Sequence, residues 1–573
     1  MVRISSAQPI TTVAGLESHI VSRDTTGTAM VFGYATATAW ALAEPIVTIQ
    51  PVAPGWLLPF VGLFAGNSLP VSIGAIGFQG GKRHEGKRAN AIFGRGKVAG
   101  VLNTGEIEQE GSLNSVVGAS EFAGIVNLDK IEQKGLFNLQ LGIGGTFGNI
   151  NFGQVKTNGY SAYLGLGLGF GIFNAGSIAL SGKSSLTVGA GLLNGIWNLG
   201  QLKTSNERDI VAGISGGIGL INGLAPVVST TTQVAGQPSF TQSKINTAGG
   251  DDLVYGGGLY NVINFLNSTA PGVSIAGLFP DTVRNSPEFQ TIWVAATSTS
   301  TSAWTPAQQF PATAGWNEAF SPANANLKDA CWGIVNFADM NTGTGNDTVF
   351  GAGDDIAADN AANFAITSFP NHFGSGILNA ATATISLGEG DDTLRGETWA
   401  VGTPLSLARP PAGIVNYGLV DAGNGDDVVS GYSGTNAPAN LGILNEGTIR
   451  TGRGRDTVDA LTGGFSGAGL TDLGLDDDTL IGFGSGRFDG GGNINVVSQK
   501  DTLLLGNGTY VCSLSAGVGG FYSLTKDTMA MFVQGFELIG SANNPGSAIE
   551  FLAGQTYNVL GNTITSFPTP VPG

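Results

Sequence analysis

The sequence predicts an all-β chain: a right-handed parallel β-helix (solenoid) with about 24 residues per coil, capped ends and loop insertions. Three observations predict it. An octapeptide recurs along most of the chain, its aliphatic positions alternate with the period of a strand, and 92 of the 573 residues are Gly. The period is too short for a βαβ unit, and no helical heptad pattern is present. The Gly excess has no three-residue period, so a collagen-like chain is excluded. Charged residues make up 12% and hydrophobic residues 42%, the opposite of a disordered polyelectrolyte.

The octapeptide is Gly, aliphatic, any, Asn, any, Gly, any, aliphatic. It appears at Gly100, Gly124, Gly148, Gly171 and Gly195, with Asn103, Asn127, Asn151, Asn174 and Asn198 spaced by 24, 24, 23 and 24 residues. A looser form follows at Asn222 and Asn264. The sharp form returns with Asn336, Asn379, Asn416 and Asn445, at spacings of 43, 37 and 29 that imply insertions between coils. Each coil is expected to supply short strands joined by Gly-rich turns and stacked at ~4.8 Å. An Asn at the same place in every coil can bond the coils above and below it as a ladder.

Seven residues after an aliphatic position a second element recurs. It is Asp209, Asp252, Asp347, Asp392, Asp427 and Asp456 in the later coils, and Asn114, Asn138, Ala162 and Ser185 in the earlier ones. The acidic half of the repeat is therefore filled in only from Asp209 onward.

The expected organisation is an N-terminal cap or assembly region over 1–95 and a β-helix with degenerate turns over 96–265. An insertion over 266–330, a β-helix with Gly-Asp turns over 331–505 and a C-terminal β cap with a Pro-rich tail over 506–573 follow. Between Gly27 and Gly81 the only charge is Glu44, which suits either a cap over open strand edges or a subunit contact. A basic cluster follows, from Lys82 and Arg83 to Arg95 and Lys97. The long insertion carries Trp293, Trp304 and Trp316, read as a satellite core or as a binding face. Cys331 and Cys512 fall in distant coils, so a disulfide between them is not expected.

The turns carry the chemistry. They read TGTGNDTVF from Thr342, LGEGDDTLR from Leu387, AGNGDDVVS from Ala422 and TGRGRDTVD from Thr451, with looser forms at Thr247 and Leu473. These strings resemble the Gly-Gly-x-Gly-x-Asp-x-aliphatic-x nonapeptide of haemolysin-type (RTX) calcium-binding repeat proteins, over residues 245–505. The resemblance implies calcium between stacked turns. Carboxylate donors would be Asp252, Asp347, Asp392, Asp427, Asp456 and Asp478. Carbonyl donors would lie around Gly343, Gly345, Gly388, Gly390, Gly423, Gly425, Gly452 and Gly454. Calcium takes six to eight hard oxygens, and glycines at positive φ can aim successive carbonyls at one point. Two departures stand out. The first Gly of the family pattern is replaced in every repeat, and Arg453 and Arg455 flank Asp456, where Arg could take the cation's place. The tail, from Lys500 to the Gly-Phe-Glu turn at Glu537, resembles more loosely the terminal region of oscillin-type cyanobacterial cell-surface proteins.

The net charge of −17 makes nucleic acid a poor partner. No apolar run long enough for a transmembrane anchor occurs. The N-terminus lacks the pattern of a secretory leader, which fits the leaderless export the resemblance implies. No catalytic centre is expected: His19, His84 and His372 lie in unrelated contexts, although Asp339, Asp421 and Asp459 lie on or near strands. The expectation is a secreted, calcium-stabilised structural protein of a cell surface (sheath, surface layer or fibril) that assembles with copies of itself. The alternative is an adhesin or carbohydrate-binding protein that takes surface polysaccharide as partner; a polysaccharide-acting β-helix enzyme is a third class.

Overall fold

The computed structural model describes residues 16–23, 28–35, 76–78, 82–85, 89–96, 99–103, 105–223, 243–258, 332–353, 374–399, 410–434, 440–491, 500–514 and 520–569. Asn264, Cys331, His372 and the insertion with Trp293, Trp304 and Trp316 lie outside them, as does most of Gly27 to Gly81. The chain is all-β and forms long parallel sheets of stacked strands, as the repeat predicts. Among the described residues no helix is long and apolar enough to cross a membrane. The chain divides into two compact units, the first mainly residues 1–205 and the second mainly 206–222, 244–263 and 325–573.

In each coil of either unit the chain runs along three faces. Face A ends in the repeated Asn, face B follows it, and face C leads back to A. In the first unit face A stacks Ile76–Phe78, Ala99–Asn103, Ala123–Asn127, Phe147–Asn151, Phe170–Asn174 and Asn194–Asn198 in parallel. Its asparagines stand in register, and each Nδ2 donates to the next Oδ1 at 2.7–2.8 Å from Asn103 to Asn198. Faces B and C are not separate short strands in the middle coils. They run on as Lys130–Gly144, Gln154–Gly167 and Ser177–Gly191. Register shifts between Lys134 and Phe137, and between Gly159 and Ser161, mark the bend from B to C. Because of that shift the residue in register with Asn138 and Ser185 is Ser161, not Ala162. An antiparallel hairpin, Leu16–Arg23 with Thr28–Ala35, lies at the start of face C, pairing onward to Ala89–Gly96.

In the second unit face A stacks Ile218–Asn222, Trp332–Asn336, Ile377–Asn379, Ala412–Asn416, Leu441–Asn445 and Phe465–Ser466. Asn222 bonds directly to Asn336 at 2.9 Å. The ladder continues through Asn379 and Asn416 to Asn445, each step 2.9 Å. Face B carries Asp339–Thr344, Thr384–Glu389, Leu419–Asn424 and Thr448–Arg453, and face C carries Thr348–Gly353, Thr393–Thr398, Val428–Ser433 and Thr457–Asp459. Past the last strand of face A the stack closes in antiparallel hairpins. Gly508–Leu514 pairs with Tyr522–Lys526 and Gln555–Leu560, and the latter pairs with Thr563–Pro568.

Aliphatic side chains from all three faces fill the interior. One coil of the second unit contributes Ile414, Val420 and Val429, each fully buried, and such a side chain stabilises the fold by roughly 1.5–3 kcal/mol. Elsewhere the interior has no room for side chains. Glycines of face C (Gly142, Gly165, Gly189) lie against glycines of face A (Gly148, Gly171, Gly195), backbone on backbone. A methyl group at Gly142 would collide with the Gly148 carbonyl, and one at Gly396 in the second unit with the Gly413 carbonyl. Many of the glycines are thus in strands, where two sheets meet too closely for a Cβ.

Candidate metal centre

The turn from face B to face C in the second unit places the Gly-Asp motif. Its two glycines have positive φ in each of the four close repeats, from 106° at Gly343 to 139° at Gly425, which a residue with a Cβ adopts only under strain. The position of the missing first glycine is the last inward-facing residue of the face B strand. Thr342, Leu387, Ala422, Thr451 and Leu473 stand there, fully buried. The departure from the family pattern therefore adds core. The turns stack through backbone bonds: Gly345 N–H donates to Glu389 O at 2.7 Å, Gly390 to Asn424 O at 2.8 Å and Gly425 to Arg453 O at 2.8 Å. The carbonyls of Gly343, Gly345, Gly388, Gly390, Gly423, Gly425 and Gly452 point along the stack at the next coil, into the space a Cβ there would fill.

The aspartates form one column. Each backbone N–H donates to Oδ1 of the Asp in the following coil: Asp209 to Asp252, Asp252 to Asp347, Asp347 to Asp392, Asp392 to Asp427, Asp427 to Asp456 and Asp456 to Asp478, all at 2.7–2.9 Å. The column runs on through Asp501, whose own N–H donates to Glu537 at 2.8 Å. The aspartates expected as carboxylate donors thus stand in one column, one per coil. Asp209, Asp501 and Glu537 extend the set. Asp501 was legible in the string Asp-Thr-aliphatic, which Asp501 and Thr502 share with Asp347 and Thr348.

The second oxygen decides the chemistry. Oδ2 of Asp252, Asp347, Asp392, Asp427, Asp456, Asp478 and Asp501 is buried and has no hydrogen-bond partner. Burial, with smaller contributions from neighbouring carboxyls, pushes these groups up, to about 6 at Asp347, about 7 at Asp427 and about 9 at Asp478, against the backbone bonds and, at Asp347, the nearby Thr342 hydroxyl, which pull down. A buried carboxylate oxygen without a donor is unstable unless it holds a proton or a cation. The buried Asp oxygens, one per coil, and the glycine carbonyls of the turns are hard oxygens of the type calcium takes. No cluster of three or more acidic, His or Cys side chains converges among the described residues, so any such site would draw on backbone carbonyls.

Arg455 does not take the cation's place. It lies outside the column, where its guanidinium and backbone N–H bond Asp426 at 2.8 and 2.9 Å and hold that carboxyl below its usual range. Asp426 belongs to an exposed row, Asp251, Asn346, Asp391 and Asp426, whose side chains accept the N–H of the following coil. Asp339 and Asp421 lie on face B strands and Asp459 on face C, so they share no site. In the first unit the B-to-C bend holds Asn114 and Asn138, joined at 3.0 Å, then Ser161 and Ser185. An amide supplies its own donor, so that column needs neither proton nor ion.

Comparison with known proteins returns no match to a family model, to a curated protein or to a solved structure.

Proposed function

We propose that this chain is a calcium-stabilised structural solenoid of a cell surface or extracellular material, and that it assembles with copies of itself. The observation that carries the reading is the column of seven buried aspartates, each with one oxygen lacking a donor. Calcium held by Asp252, Asp347, Asp392, Asp427, Asp456 and Asp478, with carbonyls of the turn glycines, would neutralise that column. Regular stacked faces and a chain with few charges suit packing of like on like. Light scattering and sedimentation of the full chain, titrated with calcium, test the reading. Calcium-dependent growth in mass is expected. A protein that stays monomeric at every calcium concentration would remove the assembly role. Deleting residues 1–81 is expected to abolish growth and leave the calcium response.

A further inference from the structure

We propose that face C of the second unit carries a binding platform for a neutral pyranose sugar, built from Trp399 and Tyr432 with the Arg395–Glu397 pair beside them. Trp399 is 42% exposed, whereas Trp332 is buried to 1%. Its indole is held by two contacts. Nε1 donates to Glu397 Oε2 at 3.0 Å, and the Tyr432 ring of the next coil lies 5.3 Å away, tilted by 50°; Gly434 has no side chain to press on the indole, where a Cβ would come within 3.1 Å of it. Glu397 is itself 8% exposed and fixed by Arg395, whose Nε donates to Oε1 at 2.7 Å and whose Nη2 pairs with the same oxygen.

A fixed, solvent-facing aromatic ring has little freedom left to lose on binding, which is what makes a platform efficient. Its electron-rich face attracts the C–H face of a pyranose. The polar groups a sugar needs stand at the rim. The Tyr432 hydroxyl has no hydrogen-bond partner among the described residues, and the Arg395 side chain is half exposed. The charges of Arg395 and Glu397 cancel, and Asp459 stands two coils on from Arg395 in its row, through Ser430. That balance favours a neutral sugar over an acidic one. The site goes beyond the assembly reading, since it uses no turn residue and no aspartate of the column.

Affinity electrophoresis of the full chain through gels containing dextran, galactomannan, xyloglucan or laminarin tests it, with pectate as the acidic comparison. Retardation by at least one neutral glycan is expected. Trp399→Ala should weaken it about tenfold or more, and Tyr432→Phe, which keeps the ring, should weaken it measurably with an unchanged melting temperature. The proposal is overturned if no neutral glycan retards the chain, if only pectate does, or if both variants are retarded like the parent.

Discussion

Replacing Asn416 by Leu should destabilise the second unit although Leu is the more apolar residue. Asn416 is fully buried. Its Nδ2 donates to Asn445 Oδ1 at 2.9 Å, Thr448 O at 3.0 Å and Gly418 O at 3.2 Å, and its Oδ1 accepts from Asn379 Nδ2 at 2.9 Å and Gly418 N at 3.2 Å. The two Nδ2 hydrogens are shared among three acceptors, so these contacts amount to about four bonds, and at about 1 kcal/mol net each they set a loss of about 4 kcal/mol. Burial of the Leu side chain returns about 2 kcal/mol. The expected net loss is therefore about 2 kcal/mol. Asn379 Nδ2 keeps the Leu419 carbonyl and Asn445 Oδ1 keeps the Gly447 N–H, which limits the damage to neighbouring rungs. Thermal unfolding of the variant, followed by circular dichroism, is the assay. A midpoint equal to or above the parent's would refute the claim that the amide ladder holds the coils in register.

Three further outcomes are expected. Without calcium, stability should fall as pH rises from about 4 to about 9. The column's folded values, about 6 to about 9, lie above the ordinary 3.8, so the folded state holds protons the unfolded state has lost, and the benefit disappears as pH passes through them. For Asp347 alone the shift corresponds to roughly 3 kcal/mol, and a melting temperature independent of pH over that window would contradict it. Asp427→Asn should raise the melting temperature in chelator at pH 8, since the amide keeps the Oδ1 acceptor without a charge, and should lower the gain produced by calcium; the reverse on either count would count against the column. Gly396→Ala should cost about 3 kcal/mol or more or prevent folding, because its methyl meets the Gly413 carbonyl, whereas tolerance in a denaturant titration would show that faces A and C do not touch.

The coil architecture was legible because its signals are local and repeated. The Asn at the end of face A needs nothing but recurrence to be read as a ladder, and the Gly-Asp turns need only their spacing. What the sequence hid depends on contacts between faces. Glycines such as Gly142 and Gly396 look like turn residues until the opposite backbone is seen against them. The one-residue shift that puts Ser161 in the place expected for Ala162 comes from a bulge, which leaves no mark on composition. Arg455 is next to Asp456 in the chain, yet in the turn between Thr448–Arg453 and Thr457–Asp459 its side chain lies outside, where it meets Asp426, while Asp456 is buried. The orphaned Oδ2 atoms likewise follow from stacking, since each Asp spends its first oxygen on the coil before it.

Calorimetric titration of the full chain with calcium, at about pH 7 in two buffers of different ionisation enthalpy, tests the central claim most directly. If the buried aspartates hold protons that calcium displaces, several ions should bind per chain and the measured heat should depend on the buffer by an amount that reports proton release. Absence of binding up to about 10 mM calcium, beyond the range of extracellular sites, or binding whose heat is the same in both buffers, would contradict it.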